Sequence, residues 1–189
     1  EISVLLVRSA TTVRKDLIDA CPSLKIIGRG GVGMDNIDVD YARNKGIAVV
    51  NTPAASSLSV AELVFAHLFT GVRFLQDANR AMPSKGATAF NDLKKAYAKG
   101  IELRGKTIGI IGFGRLGKMI FNYAKSFDMN ILIYDTDKSS TNGYENYAKD
   151  FDALLKESDI ITLHPKLNET SYEMINSETL KHMKDGVII

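Results

Sequence analysis

The stretch Thr107–Asp135 constrains the fold more than any other part of the chain. It reads TIGIIGFGRLGKMIFNYAKSFDMNILIYD. Ile108–Ile111 is a short apolar run rich in β-branched residues, which predicts a buried strand. Gly112, Gly114 and Gly117 follow in G-x-G-x-x-G spacing. Apolar residues then recur at Leu116, Met119, Ile120, Tyr123, Ala124 and Phe127, the positions of one helix face. A second strand, Ile131–Tyr134, ends on Asp135.

Each glycine has a separate physical task. Gly112 permits a tight turn from strand to helix, Gly114 lets a pyrophosphate approach the bare backbone, and Gly117 lets the helix pack closely on the strand. The N–H groups at Arg115 and Leu116 then stand at the positive end of a helix dipole, facing an anion. Asp135 lies 18 residues beyond Gly117, where a carboxylate meets an adenosine ribose. With strand, helix, second strand and acid all in order, the stretch predicts a dinucleotide site.

The remaining composition narrows the class. Of 189 residues, 45% are hydrophobic and 24% charged, as in a globular protein. The net charge of +2 comes without a basic tract, so no nucleic acid is expected as a partner. No apolar run approaches the ~20 residues of a membrane span, and no membrane partner is expected. The single cysteine, Cys21, fits a reducing compartment and a cytoplasmic location. It reads as a helix-end residue before Pro22. No metal site is expected. Because Glu1 is followed at once by a core strand and Val187–Ile189 opens another, the chain is expected to be part of a longer protein.

Strand and helix alternate through the first third. Ile2–Val7 is a strand that delivers Arg8, Ser9 and Ala10 at its C-terminal end. Thr12 is expected to cap a helix to about Ala20. Lys25–Gly28 is the next strand, ending in Arg29-Gly-Gly-Val-Gly33. Its clustered glycines suit an anion-binding nest, with a plain flexible loop as the alternative. A helix from about Asp38 ends at Gly46, and Ile47–Val50 is a third strand closed by Asn51-Thr-Pro53. This alternation predicts a parallel sheet with ligands at its C-terminal strand ends.

Ser59-x-x-Glu62 reads as a capping box that opens a helix to about Arg80. That helix is apolar nearly all round, so a partner subunit or second domain is expected to cover one face. His67 within it reads as a core or interface residue. Residues 81–100 are polar and interrupted by Pro83, Gly86 and Gly100, the pattern of a linker that is a loop or a loose helix. After Asp135 come a loop, a helix over 151–157 and a strand over 160–163. Ser177 is expected to cap a helix that stops near Gly186, before a further strand from Val187. For His164, at a strand's C-terminal end, spacing leaves cofactor contact and simple strand termination equally open. His182, late in a helix, suits a favourable C-terminal charge.

The ordered motifs LKIIGRGGVGMDNID, NTP, SVAE and GKTIGIIGFGRLG resemble the D-2-hydroxyacid dehydrogenase family, and VRSATTV is most similar to its D-3-phosphoglycerate dehydrogenase branch. The resemblance implies an α/β fold of two parts. One is a Rossmann-like doubly wound parallel sheet for NAD over 101–189. The other is a flavodoxin-like α/β substrate domain over 1–80, with a crossing helix at 59–80 and a linker at 81–100. Both are expected to be incomplete here. It further implies a homodimer and a small-molecule substrate.

By the same resemblance, Gly112, Gly114, Arg115, Leu116 and Gly117 hold the pyrophosphate and Asp135 the adenosine ribose. Val32 lies near the nicotinamide, and His164 and Pro165 line the cofactor pocket. Gly30, Gly31, Val32 and Gly33 offer N–H groups to a substrate carboxylate, with Arg8, Ser9 and Arg29 around the substrate and the two arginines on its phosphate. The family's catalytic arginine, glutamate and histidine are expected beyond Ile189, so no catalytic residue is assigned in this segment. The chain departs from the family in that Pro165 follows His164 directly instead of one residue later. The implied activity is hydride transfer between NAD and a D-2-hydroxy acid, foremost 3-phosphoglycerate in serine biosynthesis. Glycerate, hydroxypyruvate and D-lactate are alternatives, as is an NAD-sensing regulatory protein of the same fold.

Overall fold

Short β-branched runs become the strands of two separate parallel sheets. The computed structural model describes all of residues 1–189. The chain divides into two compact units, Glu1–Leu58 and Ser59–Ile189.

In the first unit, β1 (Val4–Val7), β2 (Ile26–Arg29) and β3 (Ala48–Asn51) pair in parallel, in chain order. The crossover helices are α1 (Lys15–Asp19) and α2 (Val39–Asn44). Val7, Ile18, Ile27, Ala42 and Val49 form its core. The expected Thr12 cap is absent. The residue before α1 is Arg14, and the Lys15 N–H is accepted instead by Asp38 at 3.1 Å, from the start of α2. A carboxylate distant in sequence thus does the work that a local hydroxyl was expected to do.

The second unit centres on β4 (Thr107–Ile111), with β5 (Asn130–Tyr134) on one side and β6 (Ile160–Leu163) on the other, all parallel. Single bridges extend the sheet at Ala148 beside Ile133 and at Ile188 beside Ile160. The chain runs from β4 outward through β5 to Ala148, then crosses back to β6. The C-terminal ends of β4 and β6 therefore form a topological switch point, where α/β sheets bind ligands. Helix α5 (Arg115–Ser126) buries Gly117, Ile120, Phe121 and Ala124 against the sheet, and α6 (Phe151–Glu157) buries Leu154 and Leu155. Helix α7 spans only Ser177–Leu180. Its cap is Asn176, one residue before the expected Ser177, in a capping box with Thr179.

The helix expected over 59–80 is different in form. Helix α3 runs Ser57–Val72, starting two residues before the expected capping box. Phe74 then takes a left-handed conformation (φ 55°), and α4 spans Leu75–Tyr97, most of the stretch expected as linker. A straight helix rises ~1.5 Å per residue, so the two ends of α4 would lie more than ~30 Å apart. Instead, the rings of Phe74 and Tyr97 stack at 6.1 Å, and the Ile101 N–H reaches the Val72 carbonyl at 3.0 Å. The chain turns back at Ala89, whose φ/ψ of −130°/25° is not helical. Pro83 is accommodated within the first arm.

One face of α3 enters the second unit's core through Ala61, Phe65, Leu68 and Val72. The other face leaves Val60 and Leu63 exposed, and His67 is exposed as well, so it is not a core histidine. No single helix is long and apolar enough to cross a membrane. Ile110 is fully buried at the centre of β4. Replacing it with alanine is expected to cost about 2–5 kcal/mol of stability, measurable by urea denaturation.

Candidate functional sites at the strand ends

In the second unit the chain leaves β4 through Gly112, whose φ of +89° suits glycine alone among common residues. The Gly112 N–H still donates to Tyr134 O at 2.8 Å, so the turn hangs from β5. A Cβ at Gly112 would lie 2.6 Å from the His164 carbonyl carbon. A Cβ at Gly117 would overlap Gly112 O, so α5 can approach the strand end only without one. Gly114 is the N-cap of α5, and the space beside its α-carbon is open.

Asp135 closes this turn. Its Oδ2 accepts the Phe113 N–H at 2.6 Å, and its Oδ1 accepts the Asp137 N–H at 2.9 Å. Phe113 is fully buried, with its ring edge-to-face against Phe121 and Tyr144. The acid and the glycine turn are therefore one rigid unit. Each carboxylate oxygen keeps further lone-pair directions toward the cleft.

A cleft of about 340 Å³ opens here, walled by Gly112, Gly114, Asp135, Thr136, His164 and Pro165, with Lys166 at its edge. Arg115, Leu116 and Gly117 form the first turn of α5 and are not part of that wall; Leu116 packs on the core. Val32 belongs to the first unit. An open helix N-terminus, a bare glycine and a half-buried carboxylate fit a dinucleotide's pyrophosphate and ribose.

His164 follows β6, two residues after Thr162 and on the same side of the strand. Thr162 Oγ1 and His164 Nε2 share a hydrogen bond of 2.6 Å. Burial disfavours the imidazolium and lowers the His164 pKa from 6.5 to about 4. The ring is neutral in the folded protein, whereas the unfolded chain takes up a proton below pH 6.5. Its contribution to stability is thus full above pH 6.5 and lost as the pH falls toward 4. His164→Gln is expected to flatten the fall in thermal midpoint across that window, as read by calorimetry at several pH values.

The first unit has its own cleft, of about 570 Å³, walled by Arg8, Thr11, Arg29, Gly30, Asn51 and Thr52. Arg29 ends β2 in register with Val7, so Arg8 and Arg29 leave neighbouring strands side by side. Ser9, Gly31, Val32 and Gly33 lie outside this wall. The Arg29 guanidinium folds over Gly31, filling the space a Cβ there would need, and donates to Gly30 O at 3.4 Å. The Arg29 Nε is buried without a hydrogen-bond partner.

Three residues that sequence reasoning missed hold these turns. Asn36 Nδ2 donates to Arg8 O at 3.0 Å and to Thr11 O at 2.6 Å. Asn51 Nδ2 donates to Val32 O at 2.7 Å, and Thr52 N donates to Gly31 O at 3.2 Å. All three stood inside quoted motifs, but no spacing rule connects an asparagine to a carbonyl some 20 residues away.

Comparison with known proteins agrees with this geometry. Residues 65–189 match the family model for the NAD binding domain of D-isomer specific 2-hydroxyacid dehydrogenases. The chain is 46% identical over its whole length to a hydroxypyruvate reductase of Thermotoga maritima, covering 60% of that protein. It is 41% identical to a D-3-phosphoglycerate dehydrogenase of Methanocaldococcus jannaschii, over 100% of this chain and 36% of that one. A D-lactate dehydrogenase from Aquifex aeolicus, solved with NAD and lactic acid, superposes with a TM-score of 0.75 at 34% identity, over 99% of this chain and 55% of that one. The chain thus spans between about a third and 60% of these proteins. It belongs to the D-isomer specific 2-hydroxyacid dehydrogenase family, with NAD as its cofactor.

Proposed function

We propose that this chain is the positioning apparatus of an NAD-dependent D-2-hydroxyacid dehydrogenase, and that its substrate is a phosphorylated three-carbon acid, 3-phosphoglycerate or its 2-oxo form. NAD, when bound, exchanges a hydride with C2 of the substrate. Gly112, Gly114 and Gly117 shape the pyrophosphate seat, and the N–H groups of Arg115 and Leu116 face it. Asp135 accepts from the adenosine ribose, His164 and Pro165 line the pocket, and Val32 stands by the nicotinamide. In the first unit, Val32 and Gly33 offer N–H donors to the carboxylate, whereas the N–H groups of Gly30 and Gly31 are already taken by Val7 O and Arg29 O; Ser9 stands beside them, with Arg8 and Arg29 on the phosphate. No residue of this chain is assigned the acid–base step.

The observation that carries the substrate is that Arg8 and Arg29, at the ends of adjacent strands, line one cleft. Arginine donors match phosphate oxygens in geometry and charge. Relatives named D-3-phosphoglycerate dehydrogenase support this reading. The relative named hydroxypyruvate reductase favours a second one, in which the substrate is unphosphorylated hydroxypyruvate or glycerate. In either case residues 1–80 serve the substrate, 81–100 connect and 101–189 bind the cofactor. A homodimer covering the exposed side of α3, a cytoplasmic location and a place in serine biosynthesis complete the proposal.

Steady-state kinetics of the intact protein separate the two substrates. Arg8→Ala and Arg29→Ala are each expected to raise KM for 3-phosphoglycerate roughly ten- to a hundredfold, the worth of one charge-assisted bond. KM for glycerate and the affinity for NAD should change little. Equal loss on both acids would remove the phosphate from this cleft and favour the hydroxypyruvate reading.

Cofactor choice is a second test. A 2′-phosphate would meet the Asp135 carboxylate, and like charges ~4 Å apart repel by about 4 kcal/mol at an effective dielectric near 20. Even after heavy screening, NAD should bind at least about tenfold more tightly than NADP in calorimetry. Equal affinities would overturn the role of Asp135.

A further inference from the structure

The shape of the Arg29–Gly33 turn is set in part from outside the turn. Two of its carbonyls are engaged by the end of β3: Gly31 O by the Thr52 N–H at 3.2 Å and Val32 O by Asn51 Nδ2 at 2.7 Å. Every peptide bond in the chain is trans. In a trans peptide unit the carbonyl of one residue and the N–H of the next point in opposite directions. Turning Gly31 O and Val32 O toward β3 therefore turns the N–H groups of Val32 and Gly33 away from it. Neither N–H meets an acceptor inside the protein. Two adjacent donors aimed the same way are what a carboxylate with two oxygens requires.

We infer that Asn51 is a positioning residue for the substrate carboxylate: by holding Val32 O, its amide aims the Val32 and Gly33 N–H groups at the two carboxylate oxygens. This rests on the proposed dehydrogenase reading and assigns the carboxylate and the phosphate to different groups. Arg8 and Arg29 supply charge, while Asn51 supplies direction. Its own side chain need not touch the substrate. The Thr52 bond comes from the main chain and survives any substitution at 51, so loss of Asn51 releases one of the two carbonyls.

The test compares Asn51→Leu and the smaller Asn51→Ser with Arg29→Ala in the intact protein. Substrates are glycerate and 3-phosphoglycerate, and NAD affinity is measured by calorimetry. Ile18→Ala, a core substitution in α1 at a residue 2% exposed, is the control for lost stability in the same unit. The Asn51 variants are expected to raise KM for both acids by a similar factor, roughly tenfold. The turnover number should stay within about threefold and NAD affinity should be unchanged. Ile18→Ala should lower the melting temperature without moving KM. If KM rises only for 3-phosphoglycerate, or moves no more than in Ile18→Ala at equal loss of stability, Asn51 does not aim the nest and the inference is overturned. If Arg29→Ala affects both acids alike while the Asn51 variants behave as expected, the phosphate reading fails and the positioning role stands.

Discussion

The contact of Gly117 with Gly112 is the constraint on which the second unit depends. A helix separated from a strand by only three residues must start almost on top of it. Here the space between α5 and the Gly112 carbonyl excludes even a methyl group. That closeness places the α5 N-terminus over the end of β4, and Asp135 on the adjoining strand then captures the Phe113 N–H. Three separate elements thereby become one surface. The aromatic contacts of Phe113 with Phe121 and Tyr144 hold that surface from below. Each such pair adds about 0.5–1.5 kcal/mol beyond its burial. The parts of this cleft brace one another, an arrangement that on the proposed reading lowers the ordering cost of cofactor binding.

The first unit meets the same need by other means. Its turns carry few hydrogen bonds of their own, and two asparagines add to them. The Asn36 amide bonds the carbonyls of Arg8 and Thr11, and the Asn51 amide bonds that of Val32. Asn36 is 6% exposed, and its Oδ1 lies buried without a partner. A buried unsatisfied oxygen costs roughly 1–3 kcal/mol. The fold bears that cost where it fixes the backbone that carries Arg8.

What was legible in the sequence was what local rules govern. The six strands, the glycine turn with Asp135, and the neighbouring strand ends of Arg8 and Arg29 follow from period, turn chemistry and strand order. Distant partners made the rest illegible. Pro83 and Gly86 left loop and loose helix both open for the linker, and Leu75–Tyr97 is helical, because Phe74 finds Tyr97 and Val72 O finds Ile101 across the turn at Ala89. The N-terminus of α1 is capped from the start of α2, so no nearby hydroxyl was needed. An apolar pattern also cannot say which side of α3 faces the core, and His67 falls on the open side. The missed asparagines belong to the same class, because their carbonyl partners lie 19 to 28 residues away.

The two clefts also differ in electrostatic design. The first presents two positive charges, Arg8 and Arg29, with a buried and unpartnered Nε on Arg29. Such a wall favours any anion, so charge alone sets strength rather than choice. On the proposed reading, selectivity among small acids comes from direction, which the Val32 and Gly33 N–H groups supply. The second cleft presents Asp135, whose position is locked by two backbone N–H bonds. A carboxylate fixed in this way cannot swing aside, which on the proposed reading lets it discriminate by excluding a second negative group. Lys166 at the same cleft offsets part of that charge but follows a strand end and is exposed. An exposed, solvated cation compensates weakly compared with a fixed, half-buried anion. The fold thus pairs attraction at one strand end with exclusion at the other, and in both it is the backbone that gives the charge its aim.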